Sequence, residues 1–329
     1  MSSRDPPGSI AIDVVVPVHD GWELTERCLE HLRLQTLPHT VIVCDNGSSD
    51  GTPERLRASF PEAQVLELGA NLGFSSACNR GVRAGGGEFV VLLNNDVECH
   101  PDFLERLVGP FATDGRIGSV TPLLLRPGEE KIDSFGLAVD STLAGFPRLR
   151  DLHLREARGS HPVLLGPTGA AGAYRRIAWE DVGGLDEAVF SYSEDVDLAL
   201  RLRSAGWSIA EAPEAVAVHL GSATAGHRSS SQRFQGGFAR GYFLRRYCVL
   251  HSRHAFRAAL TEAIVVLGDA LVFSHDLAAL RGRIAGWRAA AGRPRRPRPP
   301  HDAIDRRITL FASLRLRFGM YTGRARPCT

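Results

Sequence analysis

The sequence predicts an α/β fold: a mostly parallel, doubly wound sheet flanked by helices, with a helical extension after it. Three observations carry this. Strand-like and helix-like segments alternate four times within about 100 residues. The strand segments are unbroken apolar runs, as expected of strands buried on both faces. Each run empties into a polar cluster at its carboxyl end, where open α/β sheets bind ligands.

Residues 10–18 (IAIDVVVPV) read as the first buried strand, and His19, Asp20 and Gly21 follow it. Residues 22–37 place Trp22, Leu24, Cys28, Leu29, Leu32 and Leu34 near helical period, with Pro38 as the stop. TVIVC (40–44) is the second strand. It runs into DNGSSDGT (45–52), a dense set of turn and cap residues. Thr52 with Pro53 and Glu54 fits a helix start, and that helix runs to about Phe60. AQVLEL (63–68) is a third strand, and NLGFSSACNRG (71–81) is a loop entering another helix. Gly85, Gly86 and Gly87 turn the chain into FVVLLNNDV (89–97). Five apolar residues are too few for a helix and suit a buried strand. The run ends in Asn94, Asn95 and Asp96. Asp96 is a hard oxygen donor of the kind that holds Mg²⁺ or Mn²⁺ against a diphosphate. The same triplet also suits an ordinary polar turn.

Residues 101–111 read as a helix and 118–125 (GSVTPLLL) as a strand. Residues 126–158 have weak periodicity and many turn residues, the pattern of a long binding loop. The small residues of 166–173 allow either close approach of backbone to a ligand or tight packing. In FSYSEDVDLALRLRSAG (190–206), an apolar helical face begins at Val196, with Glu194, Asp195 and Asp197 around its amino end. The helix dipole favours acids there, which explains one of them. A carboxylate beside a cleft can also take a proton from an attacking hydroxyl. Residues 207–218 are strand-like and end at His219, either a structural histidine or a nitrogen ligand that meets Asp96.

A chain of 329 residues suggests two domains, or one large α/β domain with an appendage. Its 43% hydrophobic and 23% charged residues are ordinary for a globular protein, and a net charge of +2 gives no reason to expect nucleic acid. Six cysteines form no CxxC pair and no zinc spacing, and the first ten residues have no apolar signal core. Both features predict a reduced, cytoplasmic chain. The apolar stretch 258–273 is interrupted by Glu262 and Asp269 and is too short to span a bilayer. A dinucleotide-dependent dehydrogenase needs GxGxxG after the first strand, where this chain has PVHDGW.

The ordered set PVHD, VCDNGSSDGT, NLGFSSACNRG, LLNNDV, GAAGAYRR, SEDVDLALRLRSAGW and HLGSAT resembles the family 2 glycosyltransferases, in particular their rhamnosyltransferase-like branch. The likeness covers residues 10–225. It implies a GT-A fold, with a glycosyltransferase part over 1–232 and a helical C-terminal extension over 233–329. Within the former, the nucleotide-binding half spans about 10–115 and the acceptor half about 116–232. The resemblance further implies an inverting transfer from a nucleotide-diphosphate sugar, assisted by a divalent metal. dTDP-rhamnose is the favoured donor, with a UDP-sugar next. The acceptor implied is a glycan or a polyprenyl-diphosphate-linked molecule. Residue by residue, Pro17, Val18 and His19 fall at the nucleotide, and Asp45 at the base. Asn71, Gly73 and Asn79 fall in the loop beside nucleotide and sugar. Asp96 matches the metal-binding acid, although Asn94 and Asn95 depart from the acidic form of that motif. They are placed to bond ribose or sugar hydroxyls instead. Asp195 matches the catalytic base, with Glu194 as orienter or acceptor contact, and His219 a further metal ligand.

In the tail, residues 234–260 mix aromatics with arginines. Tyr242, Phe243, Tyr247, Leu250 and Phe256 could share one helical face, and residues 258–280 continue as an apolar-rich helix. Residues 294–300 read as a mobile loop and residues 304–318 as one more amphipathic helix. The extension is either packed on the catalytic part or a homodimer interface, or it is a peripheral membrane surface. The alternative functions are a sugar nucleotidyltransferase, which needs a Gly-rich basic loop that PVHDGW lacks, and a sugar-nucleotide-binding protein without transferase activity.

Overall fold

The computed structural model describes residues 11–156, 161–221 and 229–322. The first ten residues, the 222–224 end of HLGSAT and Cys328 lie outside that set. The first half alternates as its sequence requires. It runs β1 (Ile12–Val18), α1 (Trp22–Arg33), β2 (Thr40–Asp45), α2 (Thr52–Ser59), β3 (Gln64–Glu67), α3 (Phe74–Ala84), β4 (Phe89–Leu93), β5 (Val97–Cys99) and α4 (Phe103–Val108). Then come β6 (Ile117–Leu125), β7 (Ile132–Ser134), β8 (Leu137–Val139), β9 (Gly145–Pro147), β10 (Ala171–Arg175), α5 (Arg176–Asp181), α6 (Glu194–Ser204) and β11 (Ser208–His219). Four helices close the chain: α7 (Ser230–Arg246), α8 (Ala255–Gly268), α9 (Ala278–Ala289) and α10 (Leu310–Thr322).

The main sheet has the order β3-β2-β1-β4-β10-β6-β11-β5, with β7 added to β6. β3, β2, β1 and β4 are parallel, as are β6 and β11. β10 lies antiparallel between β4 and β6. The sheet is therefore mixed at its centre. The small-residue run 166–173 leads into this strand, and part of it is explained by packing: a side chain at Gly166 would overlap Ala199, and one at Gly172 would overlap Pro167. Ala171 and Ala173 are fully buried in the core that β1, β4 and β6 share.

Residues 126–156, the described part of the 126–158 stretch, are not the open loop their weak periodicity suggests. They supply β7 and the β8–β9 hairpin, and Ile132, Val139, Asp140 and Thr142 are fully buried. Periodicity cannot find three-residue strands, because two alternations are too few to read.

The tail differs from its expected helices at two points. Cys248 takes a left-handed φ of 52°, which ends the α7 segment and leaves Phe256 on α8, apart from buried Tyr242, Phe243 and Tyr247. The apolar stretch after residue 258 breaks at a π-turn, Asp269–Phe273, before α9. Residues 294–300 are pinned rather than loose. The Arg296 N–H donates to Arg246 C=O at 2.8 Å, and its guanidinium reaches Asp186 Oδ2 at 2.7 Å.

The helices α7 and α9 touch backbone to backbone. Gly237 and Gly241 on one, and Gly282 and Gly286 on the other, leave no room for a β-carbon. Tyr242, Phe243 and Tyr247 pack with Val139, Val196 and Leu200 in one core. The extension thus rests on α6, the helix that carries Asp195 in its first turn.

Candidate active site

The turn after β4 and the amino end of α6 are joined through two residues. The Asn94 N–H donates to Ala170 C=O at 2.9 Å, and the adjacent Gly169 N–H donates to Asp195 Oδ2 at 2.8 Å. A β-carbon on Gly169 would lie 3.2 Å from Glu194 Oε1 and 3.6 Å from Asp195 Oδ2, so glycine lets backbone reach the acid pair. The other oxygen, Asp195 Oδ1, accepts from Val196 N–H at 2.7 Å. Both carboxylate oxygens are therefore fixed by backbone.

Tyr192 and Ser193 enter α6 with left-handed φ of 69° and 65°. Such a conformation in non-glycine residues costs on the order of 1–3 kcal/mol each and persists only where the surroundings impose it. The same approach is held from behind. Phe74 N–H donates to Phe190 C=O at 2.8 Å, and Gly73, at φ 87°, has the Phe190 ring and carbonyl where a β-carbon would sit.

Burial raises the pKa of Asp195, and the N–H groups of Gly169 and Val196 oppose the rise. Glu194 is only 6% exposed, and burial followed by the charge of Asp195 pushes it up to about 8. Its Oε2 is buried without a partner. The pair shares one proton. Glu194 is the one that holds it more readily, because Asp195 has the N–H groups of Gly169 and Val196 as well as its own to stabilise a negative charge, while Glu194 has only its own.

Asp96 and His219 are brought side by side because β5 pairs antiparallel with β11, setting His219 opposite Val97. Asp96 Oδ1 lies 3.4 Å from His219 Nε2. That oxygen is buried and has no aligned hydrogen bond. On the other ring nitrogen, His219 Nδ1 meets Asp133 Oδ2 at 2.8 Å. Burial works against the imidazolium, but Asp133 and Asp96 outweigh it and raise the pKa to about 9. Asp133 in turn lies 3.9 Å from Arg126 and 3.5 Å from Arg150. No group of three or more acidic, histidine or cysteine side chains among the described residues is arranged to hold a metal alone. The pair offers one orphaned carboxylate oxygen and, once the imidazolium gives up its proton, one ring nitrogen backed by a carboxylate as ligating histidines are.

Of the expected donor residues, Pro17 and Val18 end β1 and His19 follows it. Asp45, at the end of β2, is buried, and its two oxygens lie 3.3 and 3.4 Å from the Ser48 N–H. Asn71 Oδ1 accepts from Asn46 Nδ2 at 3.1 Å and from Gly73 N–H at 3.1 Å, so it shapes its loop. Asn94 is half-buried at the edge. Asn95 and Asn79 are engaged by the protein itself. Asn95 Nδ2 donates to Thr25 Oγ1 at 2.9 Å, against α1. Asn79 Nδ2 donates to Leu185 C=O and to Glu187 Oε1, both at 2.9 Å, and its Oδ1 accepts from Leu185 N–H. The residues that sequence reasoning missed are Asp133, Gly169 and Asn46. Their partners are 86, 26 and 25 residues away in the chain, so no local pattern marks them.

Residues 13–183 match the family model described as glycosyl transferase family 2. Over 246 residues the chain is 31% identical to the N-acetylglucosaminyl-diphospho-decaprenol L-rhamnosyltransferase of Mycobacterium tuberculosis, spanning 63% of this chain and 75% of that protein. It is 33% identical over 221 residues to the pre-mycofactocin glycosyltransferase of the same organism, spanning 65% of this chain and 43% of that one. Among solved structures, the mannosyltransferase PcManGT of Pyrobaculum calidifontis, in complex with GDP-Man and Mn²⁺, aligns over 85% of both chains with a TM-score of 0.50 and 21% identity. GalNAc-T7, solved with UDP, GalNAc and Mn²⁺, aligns over 78% of this chain and 55% of its own, with a TM-score of 0.56 and 15% identity. These two speak to the fold.

Proposed function

We propose a donor, a base and a metal site on the ground that this chain belongs to glycosyl transferase family 2. It is a glycosyltransferase of GT-A fold. The reading supported best is an inverting transfer of a sugar, rhamnose favoured, from a nucleotide-diphosphate donor to a hydroxyl of a glycan or a lipid-linked acceptor. The observation that supports it is the Asn94–Ala170–Gly169–Asp195 link, which ties a backbone-fixed carboxylate to the turn that carries Asp96, itself 3.4 Å from His219. In this reading Asp195 accepts the proton of the attacking hydroxyl as the hydroxyl oxygen bonds to the anomeric carbon and the bond from that carbon to the diphosphate oxygen breaks. Glu194, kept neutral, leaves the charge on Asp195. Pro17, Val18, His19, Asp45, Asn71, Gly73 and Asn94 border the donor. One displacement with one base and no protein nucleophile inverts the anomeric centre.

Asp96 and His219 are the residues that would hold a divalent cation, Mg²⁺ or Mn²⁺. Bound there, the cation offsets negative charge on the leaving diphosphate. The functional test is release of nucleoside diphosphate from dTDP-rhamnose and from UDP-hexoses, with and without Mn²⁺. Turnover that needs the metal and prefers dTDP-rhamnose is expected; undiminished turnover in excess chelator sinks the metal role. Asp133→Asn is expected to weaken Mn²⁺ affinity ten- to a hundredfold, since it frees the imidazole ring. Calorimetric titration of Mn²⁺ in the presence of dTDP checks this, and unchanged affinity removes Asp133 from the site.

The acceptor reading gains support from the outer face of the extension. Phe256 is 80% exposed and Phe311 81%, and Leu260 and Leu267 on α8 and Leu271 and Val272 just after it are exposed as well. Arg253, in the turn before α8, and Arg281 and Arg288, on α9, are exposed too. Among the described residues no helix is long and apolar enough to cross a membrane. Exposed apolar side chains with arginines suit the surface of an anionic bilayer. Co-sedimentation with phosphatidylglycerol vesicles at low salt is expected, and should fall with Phe256→Ser; failure of the parent protein to sediment ends this reading.

A further inference from the structure

Outside the active site, guanidinium groups crowd one cavity. It measures about 360 Å³ and opens between α3, α6, the 182–187 segment and the chain after α9. Arg83, Arg201, Arg246, Arg293 and Arg296 line it, with only Asp186 and Glu187 as lining acids. Asp197 stands behind, bonded to Arg201 at 2.7 Å and 3.3 Å from Arg296. Five guanidinium groups thus meet three carboxylates, an excess of two positive charges. Arg201 and Arg246 are each 6% exposed, and Arg201 Nη2, Arg246 Nε and Arg296 Nε are buried without any hydrogen-bond partner. Arg83 and Arg293 have half-exposed side chains and sit at the mouth.

Unpartnered guanidinium nitrogens occur elsewhere in the molecule, at Arg126 and Arg203 for example, but here three of them belong to arginines that line one cavity, where a water or an ion can complete their bonding. Water satisfies an N–H but leaves the surplus charge. Planar guanidinium forks match the oxygens of phosphate. The geometry points to a binding site for a phosphate-bearing anion in this cavity, a phosphate or diphosphate group whose negative charge offsets the surplus of the guanidinium groups. Of the residues the resemblance sets beside the donor, Asn79 alone lines this cavity. Arg201 lies six residues after Asp195 on the same helix, about 9 Å along its axis. The lining segment continues through Glu187, which Asn79 and Ser76 hold, to Phe190 and the base. An anion here would brace the approach to Asp195. Its source is either free phosphate or the diphosphate of a lipid-linked molecule. The site does not depend on the donor or metal assigned above.

The experiment uses the full-length protein with a chelator present, so that the donor site cannot hold a metal-bound diphosphate. Inorganic pyrophosphate, phosphate and geranyl diphosphate are titrated by calorimetry, and the melting temperature is followed. Pyrophosphate is expected to bind and to raise the melting temperature. The double variant Arg83→Glu, Arg293→Glu, at two half-exposed positions, should weaken it at least tenfold while Mn²⁺–nucleotide binding is retained. Geranyl diphosphate binding tenfold tighter than pyrophosphate assigns the lipid-linked source; equal or weaker binding assigns the free anion. No binding by the parent protein, or equal binding by the double variant, overturns the site. A chain that binds pyrophosphate here yet transfers no sugar overturns the transferase reading and leaves this one standing.

Discussion

Asp195→Asn is expected to lower sugar transfer by on the order of 10²–10⁴-fold while nucleotide-sugar affinity changes by less than about threefold, the loss typical of removing a positioned general base. The substitution keeps shape and removes charge. Asn Oδ1 can still accept from Gly169 N–H, but its amide cannot accept from Val196 N–H, so one of two backbone bonds is lost. That is a small structural change against the loss of the base. The pH profile gives a second signature. Burial raises the pKa of Asp195, so the acid limb of the parent enzyme should lie above the ordinary aspartate range, with activity falling as pH drops through it. Single-turnover transfer and donor calorimetry measure the two quantities separately. Equal loss of donor binding and turnover in this variant shows that Asp195 is not the base.

Glu262→Gln is expected to destabilise the fold by about 3–5 kcal/mol, the range for removing one partner of a buried ion pair. One carboxylate ties the closing helices together. On α8, Glu262 accepts from Arg240 of α7 at 2.6 Å, Arg283 of α9 at 2.8 Å and Arg317 of α10 at 2.6 Å. Gln keeps the volume and one acceptor but leaves three guanidinium groups around a neutral amide. The melting temperature should fall by ~5–10 °C. The pH dependence follows from the sign of the shift. Burial disfavours the Glu262 carboxylate, but Arg240, Arg317 and Arg283 outweigh it and hold the pKa well below 4.5. Its stabilisation is complete above the unfolded value and drains away as pH falls through the folded one. The parent should therefore lose stability steeply in acid, and the variant less so. A melting temperature within a degree of the parent's would show that the knot holds nothing.

The two sites differ in how far the chain reveals them. The Asp96 turn and the Glu194–Asp195 helix start are readable because each is a short run with local grammar: an apolar strand ending in carboxamides and an acid, and acids at a helix amino end. Which of the two acids carries charge is not local. It depends on the Gly169 N–H, brought in by β10. Likewise Asp133 behind His219 is one acid among many until β7 is laid on β6.

By itself the sequence determined the alternation of strands and helices, the buried runs of β1, β2 and β4, and the polar clusters at their ends. These follow from hydrophobic period and turn chemistry, which act over a few residues. The tertiary structure alone decided that the small-residue run leads into an antiparallel strand at the centre of the sheet. It also decided that Asn79 and Asn95 bond to the protein and that one buried glutamate joins helices from four parts of the tail. Those outcomes rest on contacts across dozens of residues, where shape and unpaired charge choose the partner and no local pattern records the choice.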